Sequence, residues 1–299
     1  MIVFYRQGLG DRMNLCLFCL GFSDLMYLVT MFIMASYCFI AVAFPGEEEF
    51  WKAFLSKYIL SFDYGFGIFS GCVTMIIAVE RCVCVMFPMK SSSVISTKIM
   101  AIILLVTFIV IQLLCSVYII KEKIIFVQDM VTGEKMVDLV TTELYVSHVI
   151  FRIIEDIVLS VISLLSFSIL ALTTAITVIK LRSAMIWRKS SASSFLKGQE
   201  VLIRMLVVVS TIYIFCAAHN VILALTRYLV PEFSAAGRYK NIYFCAHFIF
   251  HIPVIFNCSI NFFVYAKMSS RFQEELKVLC LGITTPRTSN STAVKYTGQ

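Results

Sequence analysis

Six long apolar runs constrain the fold of this chain more than any other feature. Each is long enough to cross the hydrocarbon core of a bilayer, which is about 30 Å thick and takes roughly 20 helical residues. The runs lack the strict alternation of apolar and polar residues that a membrane β-strand requires. The sequence therefore predicts an all-α membrane protein, a transmembrane bundle of six spanning helices. The predicted spans are residues 15–44, 58–87, 99–120, 150–179, 202–229 and 242–265.

Composition agrees with lipid as the main solvent. Hydrophobic residues make up 60% of the chain and charged residues only 14%, so a soluble domain could not bury the apolar surface. Most of the eleven cysteines lie inside the apolar runs, where they act as small buried side chains. The net charge of +7 fits basic connections between helices. No nucleic-acid partner is expected, because basic and aromatic residues do not interleave.

Lysine and arginine predict the orientation. Sixteen of these residues fall on the side that holds both termini, and eight fall in the connections on the other side. Short cytoplasmic connections carry the excess of positive charge. We therefore expect a multi-pass protein of the plasma membrane with a cytoplasmic C-terminus.

Three further segments show local patterns. Residues 121–140 hold two β-prone runs around Thr132-Gly133, which predicts an outer β-hairpin. Ser269-Ser270 precede an amphipathic stretch, which predicts a surface helix at about residues 270–280. We assign residues 1–282 to the transmembrane domain and residues 283–299, rich in Ser and Thr, to a disordered cytoplasmic tail.

Spaced motifs over nearly the whole length resemble rhodopsin-like (class A) G-protein-coupled receptors. Several phrases, such as AVERCVCVMFP, look most like invertebrate chemosensory and FMRFamide-type neuropeptide receptors. The resemblance implies a helix before Ile2-Val3-Phe4, and we expect this first transmembrane helix to be missing from the sequence. The matching motifs are Asn14 to Asp24, Glu80-Arg81-Cys82 with Pro88, Tyr213-x-x-Cys216, and Asn257-x-x-x-Asn261-x-x-x-Tyr265 with Phe272.

The chain departs from the family pattern at several positions. Ala217 and His219 stand at the sixth-helix Trp and Pro, and Phe262 stands at the seventh-helix Pro. Ser56 stands at the cysteine of the outer disulfide, and the hairpin lacks the partner cysteine. Losing that disulfide would cost about 2–4 kcal/mol of stability.

Polar residues are expected at defined depths. Eighteen residues separate Asp63 from Arg81, so one helix holds them roughly 27 Å apart, near opposite membrane faces. Between them, four oxygen-bearing residues on three helices converge at mid-membrane. The resemblance implies a sodium site there, and the alternative is a protonated Asp24 hydrogen-bonded to Ser70. The four residues are Asp24, Ser70, Asn257 and Asn261.

The resemblance also implies a cytoplasmic activation switch centred on Arg81. Its neighbour Glu80, or Glu200 at the start of the next helix but two, would hold the guanidinium until that helix moves. The alternative is an arginine that only extends to the interface. The predicted switch residues are Glu80, Arg81, Glu200, Tyr213, Asn261 and Tyr265.

An intramembrane acid marks function by default, and the resemblance places Asp63 where amine receptors hold the cation of the ligand. Three acids against one arginine in this region predict a cationic ligand, an amine or the arginine of an amidated peptide. The alternative is an internal salt-bridge set that pairs Asp63 with His251. The predicted ligand-binding residues are Asp63, Arg152, Glu155, Asp156, His219, Asn220, His247 and His251.

The sequence thus predicts a receptor that binds an extracellular ligand and activates a heterotrimeric G protein. Cys280 is a candidate palmitoylation site, and the Ser/Thr tail is a candidate arrestin-binding segment. No enzymatic motif is present, and apart from sodium no cofactor is expected. A small-solute transporter remains an alternative, although the chain shows no internal repeat. A truncated, non-signalling receptor relic is the other.

Overall fold

The predicted all-α membrane fold is confirmed in a computed structural model. The structure describes residues 1–44, 46–87, 95–128, 135–188, 194–230, 232–233, 237–268 and 270–281. A few side chains inside helices, including that of Glu200, lie outside this description, as do Pro88 and the tail. Within the described ranges, six helical segments are long and apolar enough to cross a membrane.

The elements follow one another as helices, with one hairpin. A π-helical segment, Ile157–Ile162, joins α7 to α8. The helices are α1 (Ile2–Gln7), α2 (Arg12–Ala43), α3 (Glu48–Met86), α4 (Thr97–Cys115), α5 (Val117–Lys121), α6 (Glu143–Ser147), α7 (Val149–Asp156), α8 (Ser163–Arg188), α9 (Ser194–Leu229), α10 (Lys240–Met268) and α11 (Ser270–Leu281).

Helix α3 is the central element, because it packs against α2, α4, α8, α9 and the hairpin. It begins at Glu48, well before the predicted residue 58. Glu48 and Glu49 in its first turn stabilise the positive end of the helix dipole. The ring of Phe50 stacks on Phe126 of the hairpin with a centroid distance of 6.3 Å. The extra turns of α3 therefore position the outer hairpin.

Other helix boundaries also differ from the apolar runs. The run at 99–120 divides at Ser116, whose hydroxyl donates to the Leu113 carbonyl at 2.6 Å. Such local bonding competes with a regular helix. The run at 202–229 belongs to a helix that begins at Ser194. Hydropathy marks the part of a helix in lipid, and the polar ends extend beyond it.

The predicted hairpin is confirmed. Strands β1 (Glu122–Gln128) and β2 (Lys135–Thr141) pair antiparallel. The turn between them, with Thr132-Gly133, lies outside the described residues.

The hairpin is anchored without a disulfide. All cysteines whose state the structure describes are free. Lys121 lies 2.8 Å from the buried carboxylate of Glu155, and the Tyr145 hydroxyl donates to the other oxygen of that carboxylate. Burial and the neighbouring Glu155 raise the pKa of Tyr145, which keeps its hydroxyl a donor. Thr142 donates to the Ile120 carbonyl at 2.7 Å and closes the base of the hairpin. These contacts join the hairpin to α7 where the family pattern has a cysteine bridge.

We expect Glu155→Gln to lower the stability of the purified receptor by about 1–3 kcal/mol, because Lys121 and Tyr145 lose a charged acceptor. A thermal melt in detergent measures this. The matched control is Asp156→Asn, since the Asp156 side chain is 67% exposed and should change the midpoint little. A reducing agent should leave the wild-type midpoint unchanged. Equal midpoints for both variants would contradict the assignment.

The N-terminal residues form a short helix on the cytoplasmic end of the bundle. Helix α1 packs against α2 and α11. Phe4 is 5% exposed, and its ring lies 5.5 Å from Tyr265 and 5.3 Å from Phe272, centroid to centroid. Helix α11 covers the predicted surface helix, and Cys280 lies exposed near its end.

Candidate functional site

A cavity of about 160 Å³ lies inside the bundle. Helices α2, α3, α9 and α10 and the segments around α8 form its walls. The walls include three of the predicted ligand residues, Asp63, Asn220 and His247. Apolar side chains from α9 and α10 complete much of the lining. A largely apolar cavity with a few polar groups is typical of a ligand site.

Asp63 is the acid of this cavity. Its side chain is only 2% exposed, and one carboxylate oxygen accepts a hydrogen bond from Thr30 at 2.9 Å. Among the residues that the structure describes, no basic side chain lies within ion-pair distance of Asp63. The internal pairing of Asp63 with His251, considered from the sequence, is therefore not formed.

His251 belongs instead to a row of four side chains, which we call the Tyr–His row. The Tyr27 hydroxyl lies 2.9 Å from Nδ1 of His251, and Nε2 of His251 lies 3.2 Å from Nδ1 of His247. Nε2 of His247 lies 2.8 Å from the hydroxyl of Tyr64. The row thus links α2, α10 and α3 beside Asp63. Sequence spacing singled out the two histidines but gave no signal for their tyrosine partners.

Five predicted ligand residues do not line the cavity: Arg152, Glu155, Asp156, His219 and His251. Glu155 is buried against Lys121 and Tyr145 in the outer loops. His251 lies one hydrogen bond behind the wall, next to Tyr27.

The remaining three point elsewhere. Asp156 forms a 3.4 Å ion pair with Arg227. Arg152 is exposed and lies 3.5 Å from the Val146 carbonyl, and Nδ1 of His219 lies 2.9 Å from the Cys216 carbonyl in its own helix.

The predicted excess of three acids over one arginine is therefore wrong for the cavity. Its described walls carry one acid, Asp63, and one base, Arg227, which the sequence reasoning missed. The π-helical segment Ile157–Ile162 explains part of the error. It fits an extra residue into a turn, so spacing along the chain does not fix which faces of α7 and α8 point inward.

The predicted mid-membrane cluster is assembled below Asp63. Asp24 accepts hydrogen bonds from Ser70 at 2.5 Å and from Asn261 at 2.8 Å. Asn257 is buried, and its side-chain oxygen and that of Asn261 have no hydrogen-bond partner. Ser70 and Asn257 also line the cavity, so the cluster and the cavity are continuous.

Tyr213 enters the same region from α9. It lines the cavity, and its hydroxyl lies against Gly71 of α3. A methyl group at Gly71 would overlap that hydroxyl, so the glycine is what permits the close approach.

At the cytoplasmic end, Glu80 is 2% exposed and lies 2.7 Å from Nε of Arg81. The two atoms are not aligned as a hydrogen bond requires, so the contact is electrostatic. Arg12 also reaches Glu80 at 3.7 Å and donates to the Ile95 carbonyl at 2.7 Å. The sequence reasoning missed Arg12. Tyr265, also predicted for the switch, is buried and packs on Phe4.

A comparison with protein families supplies the relationship. The model of the family described as 7 transmembrane receptor (rhodopsin family) matches residues 1–265, which include the cavity, the Asp24 cluster and the Glu80–Arg81 pair. No curated protein matches the chain. Because the family model covers most of the chain and the structure supplies the apolar helices, the chain belongs to the rhodopsin family of seven-transmembrane receptors, and it is a multi-pass membrane protein.

Proposed function

We propose that this receptor binds an extracellular ligand through a cationic group at Asp63 and activates a heterotrimeric G protein at the opposite membrane face. The observation that carries the proposal is the cavity carboxylate itself. It is buried and hydrogen-bonded by Thr30, and the described residues offer it no basic partner. A buried carboxylate without a countercharge is costly, and a cation that enters the cavity removes that cost.

The cavity favours a small cationic group. Tyr27, Tyr64 and Tyr243 contribute aromatic walls beside Asp63, and aromatic faces attract cations. A volume of about 160 Å³ admits a small amine or one side chain of a peptide. The ligand is thus an amine, or an amidated peptide that inserts its arginine. Resemblance to chemosensory and neuropeptide receptors favours the same ligand classes.

The cytoplasmic proposal rests on Arg81. Glu80 holds its guanidinium in the described conformation, and release of this arginine would create a site for the G protein. The receptor would lie in the plasma membrane with its C-terminus in the cytoplasm. Cys280, exposed on α11, would then carry a palmitoyl group, and phosphorylated residues of the tail would bind arrestin.

The Asp24 cluster fits a sodium ion. Asp24 and Ser70 offer a carboxylate and a hydroxyl, and the oxygens of Asn257 and Asn261 are buried acceptors without a partner. Oxygen ligands of this kind suit a hard cation. A bound ion would neutralise Asp24 and hold α2, α3 and α10 together.

We therefore expect sodium chloride to raise the thermal midpoint of the purified receptor above that in choline chloride of the same ionic strength. Asp24→Asn should remove the difference, because the variant keeps a hydrogen-bonding side chain but not the charge. Asp63→Asn serves as the matched control and should retain it. A wild-type receptor equally stable in both salts would refute the sodium site.

The proposed activity is tested in cells that express the full chain. A panel of biogenic amines and amidated peptides is applied while G-protein dissociation and uptake of labelled ligand are both recorded. We expect G-protein dissociation without uptake. Accumulation of ligand without a G-protein response would instead support the transporter alternative. Surface expression without any response across the panel would support the non-signalling alternative.

A further inference from the structure

The Tyr–His row contains an arrangement that ligand recognition at Asp63 does not use. His247 and His251 lie one turn apart on α10, so both rings project from the same face of the helix. Their ring centroids are 4.6 Å apart, and the two facing nitrogens are separated by 3.2 Å. His247 lines the cavity, so an ion in the cavity can reach this pair.

The spacing of these nitrogens matches a zinc site. Two imidazole nitrogens bound to tetrahedral zinc at about 2.05 Å lie about 3.3 Å from each other. The separation between Nδ1 of His247 and Nε2 of His251 is 3.2 Å. We propose that His247 and His251 bind a divalent transition-metal ion of the zinc type, which modulates this receptor from the extracellular side.

The outer nitrogens support the proposal independently. A histidine that binds a metal almost always donates its other ring N–H to a hydrogen-bond partner, which fixes the tautomer and the ring orientation. Here Nε2 of His247 lies 2.8 Å from the Tyr64 hydroxyl, and Nδ1 of His251 lies 2.9 Å from the Tyr27 hydroxyl. Both inner nitrogens are therefore oriented toward a common point by groups on two other helices.

The proton balance requires no strong base. In the metal-free row, one inner nitrogen donates its hydrogen to the other. Metal binding needs both inner lone pairs, so that hydrogen moves to the outer nitrogen of the same ring. The ring then donates to its tyrosine, whose hydroxyl rotates to accept. Both histidines remain neutral, and the two imidazoles supply two ligands.

The remaining positions are open. The described residues contain no group of three or more His, Cys, Asp and Glu side chains that could hold a metal. Water or a donor atom of an extracellular ligand would complete the coordination, which is the pattern of an exchangeable rather than a structural site. Asp63 on the wall of the same cavity attracts the cation. The ion would join α10 to the tyrosines of α2 and α3.

The test uses the full chain without an affinity tag, purified in detergent, with Zn²⁺ and Co²⁺ as probes. We expect Zn²⁺ to raise the thermal midpoint reversibly, with the increase lost on addition of a chelator. Co²⁺ should give the visible absorption of a tetrahedral complex. His247→Ala and His251→Ala should each abolish both signals. Tyr27→Phe and Tyr64→Phe should weaken binding by about tenfold.

Two controls distinguish this pair from other donors. His219→Ala should leave both signals unchanged, because the ring of His219 faces its own helix. Cys245→Ser should do the same, although Cys245 is an exposed thiol near the pair. Signals that survive loss of either histidine, or that disappear with Cys245, overturn the proposal. The cationic-ligand proposal is tested separately by Asp63→Asn, which should still show the Zn²⁺ shift.

Discussion

Asp63→Asn should reduce the potency of every ligand that activates the receptor through a cationic group. Removing one partner of a buried charge pair costs about 2–5 kcal/mol, which corresponds to a potency loss of at least about thirtyfold. The asparagine oxygen can still accept the hydrogen bond from Thr30, so the fold around the site should persist. Dose–response curves for G-protein dissociation, at matched surface expression, measure the effect.

Thr30→Val is the matched control for this variant. It removes the hydroxyl that lies 2.9 Å from the carboxylate but leaves the charge. We expect a loss of only a few-fold, because the ligand cation can still pair with Asp63. Unchanged potency of all ligands on Asp63→Asn would show that the carboxylate is not the anchor. A larger loss from Thr30→Val than from Asp63→Asn would assign the effect to local structure.

Arg81→Ala should abolish G-protein activation while ligand affinity stays within a few-fold of the wild type. The side chain lies at the end of α3 opposite to the cavity, so its loss removes the effector site and leaves the ligand site intact. Glu80→Gln should have the opposite effect on basal signalling, because Arg81 loses the carboxylate 2.7 Å away. A loss of about 1.4 kcal/mol from the inactive state would raise its basal active-to-inactive ratio tenfold.

Lys98→Ala is the control for these switch variants. Lys98 is an exposed basic residue predicted to lie on the same membrane face, and its removal should alter neither basal nor evoked signalling. Radioligand binding and G-protein dissociation are measured on the same membranes. Wild-type signalling by Arg81→Ala would exclude the arginine as the switch. Reduced binding in that variant would point to misfolding instead.

The fold and the vertical order of its polar groups can be predicted from the sequence. Lipid forces the backbone to satisfy its own hydrogen bonds, so long apolar runs become helices, and the fixed rise per residue sets depth. For this reason helical rise alone puts Asp24, Ser70 and Asn261 at one level of the membrane, and in the folded bundle the three are hydrogen-bonded. The hairpin follows from local alternation, which also depends only on neighbouring residues.

The composition of the cavity was decided by the tertiary structure. Depth along a helix does not specify rotation about its axis, and the π-helical segment before α8 makes that rotation harder to infer. Glu155 therefore pairs with Lys121 in the loops, and Asp156 pairs with Arg227, although both acids lie near the level of the cavity. Only the packed bundle could show this.

The sequence by itself determined a membrane-embedded helical bundle with an acid toward one face and an arginine toward the other, because these features depend on local hydropathy and helical rise. The tertiary structure alone decided that Asp63 has no basic partner among the described residues and that two tyrosines from different helices orient His247 and His251. Such contacts join residues far apart in the chain, and their geometry depends on how the helices rotate and pack against one another.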